Sequence, residues 1–166
     1  PAIPTLSYLF GNILLISSRD LILLAILDVI VLFLAWRFYP QIEATSFDEE
    51  FAAVRGIPTQ TVFLIILSVT AVAVVLLQTF VGIVMVIAML TLPAGTAGYT
   101  ARNLASMMLL STLYSLLFSA GGLVVGWSLD LPVGAVVVVL SGLVFLGFAA
   151  MAVIRKKRSS RGPSSD

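Results

Sequence analysis

Gln60-Thr-Val-Phe-Leu-Ile-Ile-Leu-Ser-Val-Thr-Ala-Val-Ala-Val-Val-Leu-Leu-Gln-Thr-Phe80, running on into Val81-Gly-Ile-Val-Met-Val-Ile-Ala-Met-Leu-Thr-Leu92, decides how this chain folds. Not one charged residue interrupts it. A helix needs about 20 mainly apolar residues to cross the hydrocarbon layer of a membrane, where no backbone amide can be left unpaired. Residues 60–92 exceed one crossing, so they are read as two, with Gln78, Thr79 and Gly82 marking a tight turn near the membrane surface.

Three more stretches meet the same requirement on either side. Leu21 to Tyr39 ends in Trp36, Arg37, Tyr39 and Pro40, a group of interfacial anchors followed by a helix breaker. Leu104 to Trp127 is the next, and Val133 to Ile154 follows Asp130 and Pro132. The opening Leu6 to Ile16, broken by Gly11 and Asn12, is too short for a full crossing and reads as the end of a span or as a half-helix. The fold class is therefore all-α: a polytopic membrane helix bundle of about five transmembrane helices. Residues 1–154 form its membrane domain and residues 155–166 a basic tail.

Composition points the same way. Of 166 residues, 60% are hydrophobic and 10% charged, and a soluble fold of this size has no means of hiding so much apolar surface. The absence of Cys and His excludes disulfides, thiolate chemistry, imidazole zinc sites and His-dependent catalytic triads. Any metal ion this segment meets is held by oxygen ligands or by groups elsewhere. Arg155, Lys156, Lys157, Arg158 and Arg161 crowd the end of the chain, which suits an anionic membrane face and not nucleic acid. No basic segment precedes an apolar run after Pro1, so no signal peptide is read there, and the true N-terminus is expected to lie further upstream.

Orientation follows from the basic residues, which favour the cytoplasmic side. Placing the tail in the cytoplasm and alternating backwards puts eight of the nine there, leaving only Arg19 outside.

That topology leaves one charged cytoplasmic element between spans, Glu43-Ala-Thr-Ser-Phe-Asp-Glu-Glu-Phe-Ala-Ala-Val-Arg-Gly-Ile-Pro58. Ser46 is placed to cap a short helix and Glu49 to complete a capping box. Asp48, Glu49 and Glu50 sit where the positive end of the helix dipole favours carboxylates. Gly56 is placed to stop the helix, and Pro58 to prevent its resumption. Phe47, Phe51 and Val54 fall at i, i+4 and i+7 and are expected on one face. A helix this short is not stable alone in water. Its apolar face either folds back onto neighbouring spans and lipid headgroups or docks into a groove on a cytosolic partner.

Phe47-Asp-Glu-Glu-Phe-Ala52 followed by Gly56-Ile-Pro58 resembles the coupling-helix signature of the ABC-3 family, the zinc, manganese and iron ABC permeases. Other family-like passages occur in the expected order: Ser7-Tyr-Leu-Phe-Gly-Asn-Ile13, then Val81 to Ala94, then Leu129-Asp-Leu-Pro-Val-Gly134. A weaker version of the pattern is shared by cobalamin and iron-siderophore permeases. The resemblance implies a permease subunit with no catalytic site or cofactor of its own, residues 1–154 being the transmembrane permease domain. It implies ATP and Mg on a cytosolic ABC ATPase that receives the 47–55 helix, and an extracytoplasmic metal-binding protein that delivers the ion. It also implies a permease homodimer in the bacterial cytoplasmic (inner) membrane. Family members are usually longer, so the early helices are expected to be missing. A scaffold that recruits a partner through Phe47 and Phe51 is the alternative from another class. An enzyme is disfavoured, since Asp28 stands alone and Asp130 lies on the far side in a Leu-Asp-Leu-Pro turn.

Inside the bilayer, Asp28 is a possible part of the substrate path, with a metal ion, a proton or a residue on another helix as partner; a protonated Asp hydrogen-bonded between helices is the plainer alternative. Gly82 and Pro93 are possible path or gate elements, the Pro93-Ala-Gly-Thr-Ala-Gly98 stretch reading as a helix exit or a pivot. Ser111, Ser115, Ser119, Gly122 and Gly126 form a small-residue stripe suited to close helix packing. Met85, Met89, Met107 and Met108 read as packing residues before they read as a thioether path. Thr70, Thr91 and Thr96 are expected to bond back to their own backbone.

Overall fold

Apolar residues on every side of a segment give a helix no preferred face, and the chain is built largely of such helices. The computed structural model describes residues 16–160. The opening passage at 6–15 and the tail from Arg161 onward lie outside the described residues. Seven helices are seen among the described residues: α1 (Ser18–Arg37), α2 (Tyr39–Phe47), α3 (Glu49–Val54), α4 (Thr59–Val81), α5 (Ile83–Gly98), α6 (Leu104–Leu129) and α7 (Val133–Ser159).

The chain divides into two compact units at Phe80 and Val81. In the first, α1 starts where the Ser17 N–H donates to Asp20 Oδ2 at 3.1 Å, a carboxylate placed in the first turn. None of its residues is buried, and Asp28 is exposed at its middle. Pro40, expected to break the span, stands at the start of α2 instead. Proline is well suited there, because the first helical position needs no N–H and its fixed φ is already helical. The chain bends by 72° between α1 and α2. Helix α4 is 23 residues long with a mean hydropathy of 2.5 over its most apolar window, and only Val62 on it is buried.

In the second unit α5, α6 and α7 each pack against the other two. The core is made mostly of small and medium side chains, with Met85 and Phe118 the larger ones. Met85, Val86, Ala88, Pro93, Thr96 and Ala97 of α5 are buried, and so are Phe118, Gly122 and Gly126 of α6. From α7 come Gly134, Val137 and Ser141. A Cβ built on Gly122 would lie 2.2 Å from Val137 Cγ2 and 3.0 Å from the Val137 backbone, so glycine is what lets α6 and α7 touch. The two buried hydroxyls are satisfied locally, Thr96 Oγ1 donating to the Leu92 carbonyl at 2.8 Å and Ser141 Oγ to the Val138 carbonyl at 3.0 Å. Thr70 and Thr91 bond back in the same way, each at 2.7 Å.

Among the described residues three helices, α4, α6 and α7, are long and apolar enough to cross a membrane, or four if the bent pair α1–α2 is one span. The count of about five also took residues 81–92 as a crossing; α5 has 16 residues, roughly 24 Å at 1.5 Å per residue, against a hydrocarbon core of about 30 Å. Two further expectations are corrected. Pro93 does not end a helix: it is fully buried inside α5, which continues to Gly98. Membrane helices tolerate this because neighbouring helices and hydroxyls compensate the lost N–H. Likewise α7 does not stop at Ile154 but carries Arg155 to Arg158 in helical form, where cations meet the negative end of its dipole.

Candidate functional site

The charged element between α1 and α4 is two helices where the sequence suggested one. Asp48 separates them in an extended conformation (φ −153°, ψ 94°), serving at once as the C-cap of α2 and the N-cap of α3. Its Oδ1 accepts from the Phe51 N–H at 2.9 Å, satisfying one of the four donors a helix start leaves free. Ser46, expected to be the cap, lies inside the last turn of α2. The signal was present in the sequence, since Asp ranks with Ser as an N-cap and stands directly ahead of Glu49 and Glu50. What hid it was α2 itself, whose start at Pro40 was read as a stop.

Phe47 and Phe51 therefore do not share a face of one helix. Phe47 closes α2 and Phe51 lies in the first turn of the six-residue α3. Both are nonetheless presented to solvent, at 70% and 54% exposure, with Val54 at 86%. Asp48, Glu49 and Glu50 are exposed beside them. The Arg55 guanidinium sits over the Phe51 ring, 4.7 Å from its centroid, an arrangement worth about 0.5–1 kcal/mol when exposed. Ala52, by contrast, is fully buried and anchors α3 to α2.

The end of α3 is fixed as tightly as its start. Gly56 has φ +81°; its N–H donates to the Ala53 carbonyl at 3.0 Å and the Ile57 N–H to the Ala52 carbonyl at 3.1 Å. This is the Schellman pattern, in which glycine takes the left-handed position. Pro58 then does the opposite of blocking a helix: its carbonyl accepts from the Val62 N–H at 3.0 Å in the first turn of α4. Nothing crowds the Cβ direction of Gly56, so Gly56→Ala tests backbone strain alone. The expected cost is about 1 kcal/mol of local stability, read as roughly fivefold faster exchange of the Ile57 amide. Unchanged exchange would mean the left-handed turn is not needed.

Tyr39 donates its hydroxyl to Glu43 Oε1 at 3.2 Å on α2, while Gln41 Oε1 and Thr45 Oγ1 are buried there without a hydrogen-bond partner. The remaining candidate residues are not gathered into this element. Asp28 is on α1, and Gly82 and Pro93 belong to the other unit. Gly82, with φ +86° and ψ 157°, forms the break between α4 and α5 that only glycine takes readily. Among the described residues no group of three His, Cys, Asp or Glu is placed to hold a metal ion.

The exposed Phe47–Asp48–Phe51 element sits in a chain whose residues 3–153 match the ABC 3 transport family. The chain belongs to that family. Its sequence is 37% identical over 139 residues to the manganese import system permease protein ScaB of Streptococcus parasanguinis, covering 83% of this chain and 49% of that protein. It is 33% identical over 141 residues to the high-affinity zinc uptake system membrane protein ZnuB of Haemophilus influenzae, covering 85% and 54%. Its fold is similar to a chain of PsaBC from Streptococcus pneumoniae in complex with Fab, with a TM-score of 0.82 and 31% identity over 89% of this chain and 53% of that one. The chain thus spans about half the length of the ABC 3 relatives it matches.

Proposed function

We propose that this chain is the membrane-spanning permease part of an ATP-driven importer of a divalent metal ion, zinc, manganese or iron. A cytosolic ABC ATPase drives it through the α2–α3 element. The observation that carries the reading is the exposure of Phe51 and Val54 on the doubly capped α3, with Phe47 exposed at the end of α2 beside it, in an ABC 3 family chain. Apolar side chains held rigidly in water are what helix-in-groove recognition uses. The permease makes no covalent change to its cargo; hydrolysis, with ATP and Mg, belongs to the ATPase. An extracytoplasmic metal-binding protein delivers the ion, and two permease copies enclose its path in the bacterial inner membrane. The C-terminus faces the cytoplasm, because the basic end of α7 and Arg102 then obey the positive-inside rule together.

Asp28 contributes to the path: a carboxylate at the middle of an apolar helix costs roughly 2.5–3.5 kcal/mol on insertion scales, which a passing cation offsets. Gly82 and Pro93 serve as points where the helices change direction or pivot. The test is cellular accumulation of zinc, manganese, iron and cobalamin in a strain expressing the complete transporter that contains this chain. A rise in one metal ion supports the reading. A rise in cobalamin or a siderophore complex alone assigns the chain to that cargo instead, and no rise with all partner subunits present leaves the scaffold.

A further inference from the structure

The second unit is electrostatically one-sided. No acidic residue occurs between Glu50 and Asp130, and none between Leu131 and Ser165. Because α5, α6 and α7 alternate in direction, Arg102 and the Arg155–Arg158 cluster come to one end of this unit. Asp130 caps α6 at the other, about 33 Å away along α7. At the basic end lies a cleft of about 260 Å³, lined by Tyr99, Thr100, Phe148, Met151, Ala152 and Arg155.

The cleft's chemistry is divided. Arg155, Tyr99 and Thr100 supply a guanidinium and two hydroxyls, while Phe148, Met151 and Ala152 supply a ring, a thioether and a methyl. Its walls are held by packing. The Tyr99 ring lies against Phe145, with centroids 5.9 Å apart, and Phe145 in turn closes on Gly95, where a Cβ would come within 2.7 Å of the ring. Phe148 is held edge-on by Tyr114 at 6.1 Å.

We propose that this cleft binds the phosphate headgroup of an anionic phospholipid in the leaflet at the basic end of the bundle. A guanidinium matches phosphate oxygens bidentately and the Tyr99 hydroxyl adds a further donor, while the Thr100 hydroxyl donates to the Ala97 carbonyl at 3.4 Å. Lys156, Lys157 and Arg158 raise the positive potential around it, which selects anionic over zwitterionic lipid. A dissolved phosphate or nucleotide offers the same oxygens, but the apolar half of the lining would then cover nothing. Tyrosine at the end of a membrane helix is also an interfacial anchor. A volume of about 260 Å³ falls below the ~300–1,000 Å³ of sites that enclose a drug-sized molecule, and so fits a headgroup with the first part of a chain against Phe148, Met151 and Ala152 and the rest outside. The assignment does not depend on which ion is transported.

The experiment uses the chain in its assembled transporter, reconstituted in phosphatidylcholine nanodiscs with or without phosphatidylglycerol, then gently released for native mass spectrometry of retained lipid. Phosphatidylglycerol is expected to be retained over phosphatidylcholine. Arg155→Gln should lower that retention about fivefold, while Arg19→Gln, the same loss of charge in the other unit, changes it less than about twofold. Tyr99→Phe, which keeps the ring, should lower it about threefold. Equal retention of both lipids, or an Arg155→Gln protein that retains as much as the parent, overturns the assignment. Displacement of the lipid by millimolar inorganic phosphate overturns it too, giving the cleft to a dissolved anion.

Discussion

Changing Phe51 to Asp is expected to abolish ATP-driven metal accumulation while the chain remains in the membrane at its normal level. The substitution leaves the helix able to form. Position 51 gives its N–H to Asp48 and its carbonyl to the Arg55 N–H, and both are backbone groups that any residue supplies. What changes is the surface: a half-exposed ring becomes a fourth carboxylate beside Asp48, Glu49 and Glu50. An aromatic side chain seated in a partner's groove contributes about 2–4 kcal/mol, enough to lower coupling by roughly 30- to 1,000-fold when it is lost. Placing an unpaired charge there adds a desolvation cost. Arg55 loses its ring and gains a carboxylate, so it stays satisfied and the loss is confined to the partner's side. Two readings are needed, metal content of cells and the amount of the chain in the membrane fraction. Full accumulation by the Phe51→Asp protein would remove this element from the coupling path, whereas Phe51→Leu, which keeps an apolar side chain, should retain part of the activity.

Gly122→Leu should disrupt the three-helix unit, with a loss of about 3 kcal/mol or more. Even a methyl group at this position would meet Val137 at 2.2 Å, and the 3.0 Å approach to the Val137 backbone means that no rotamer change on α7 clears the space. Val137 is fully buried, so it has nowhere to retreat. The helices must separate, and the burial of Phe118 on α6 and Ser141 on α7 is lost with them. Thermal unfolding in mild detergent is the measurement. Gly147→Ala is the control, because nothing lies within 4 Å of its added Cβ; it should shift stability by no more than about 0.5 kcal/mol. A Gly122→Leu protein as stable as the parent would show that α6 and α7 do not pack through this glycine.

Gly122 and Gly126 fell on the small-residue stripe and were read as packing positions, and both are buried. Gly95 was not singled out as a contact, although Phe145 lies directly over it. Spacing along one helix says which residues share a face; it says nothing of which face a second helix covers. The α2–α3 element shows a similar limit. Its charge, its exposed phenylalanines and the Gly56 stop were legible, since each rests on local chemistry. The break at Asp48 was not, because Ser46 and Asp48 are both good caps, and the choice depends on how far α2 extends from Pro40.

The sequence by itself determined that the chain is a set of apolar membrane helices, that its charges gather in one short element and at one end, and that His- and Cys-based chemistry is absent. These follow from composition and from the cost of unpaired backbone in lipid, and they need no partner in space. Only the tertiary structure decided that α5 runs through Pro93, that α6 and α7 touch at Gly122, and that Tyr99 and Arg155 line one cleft. A helix apolar on every side carries no stripe to name its neighbour, so close approach is settled by backbone-to-backbone distance, which exists only once the helices have packed.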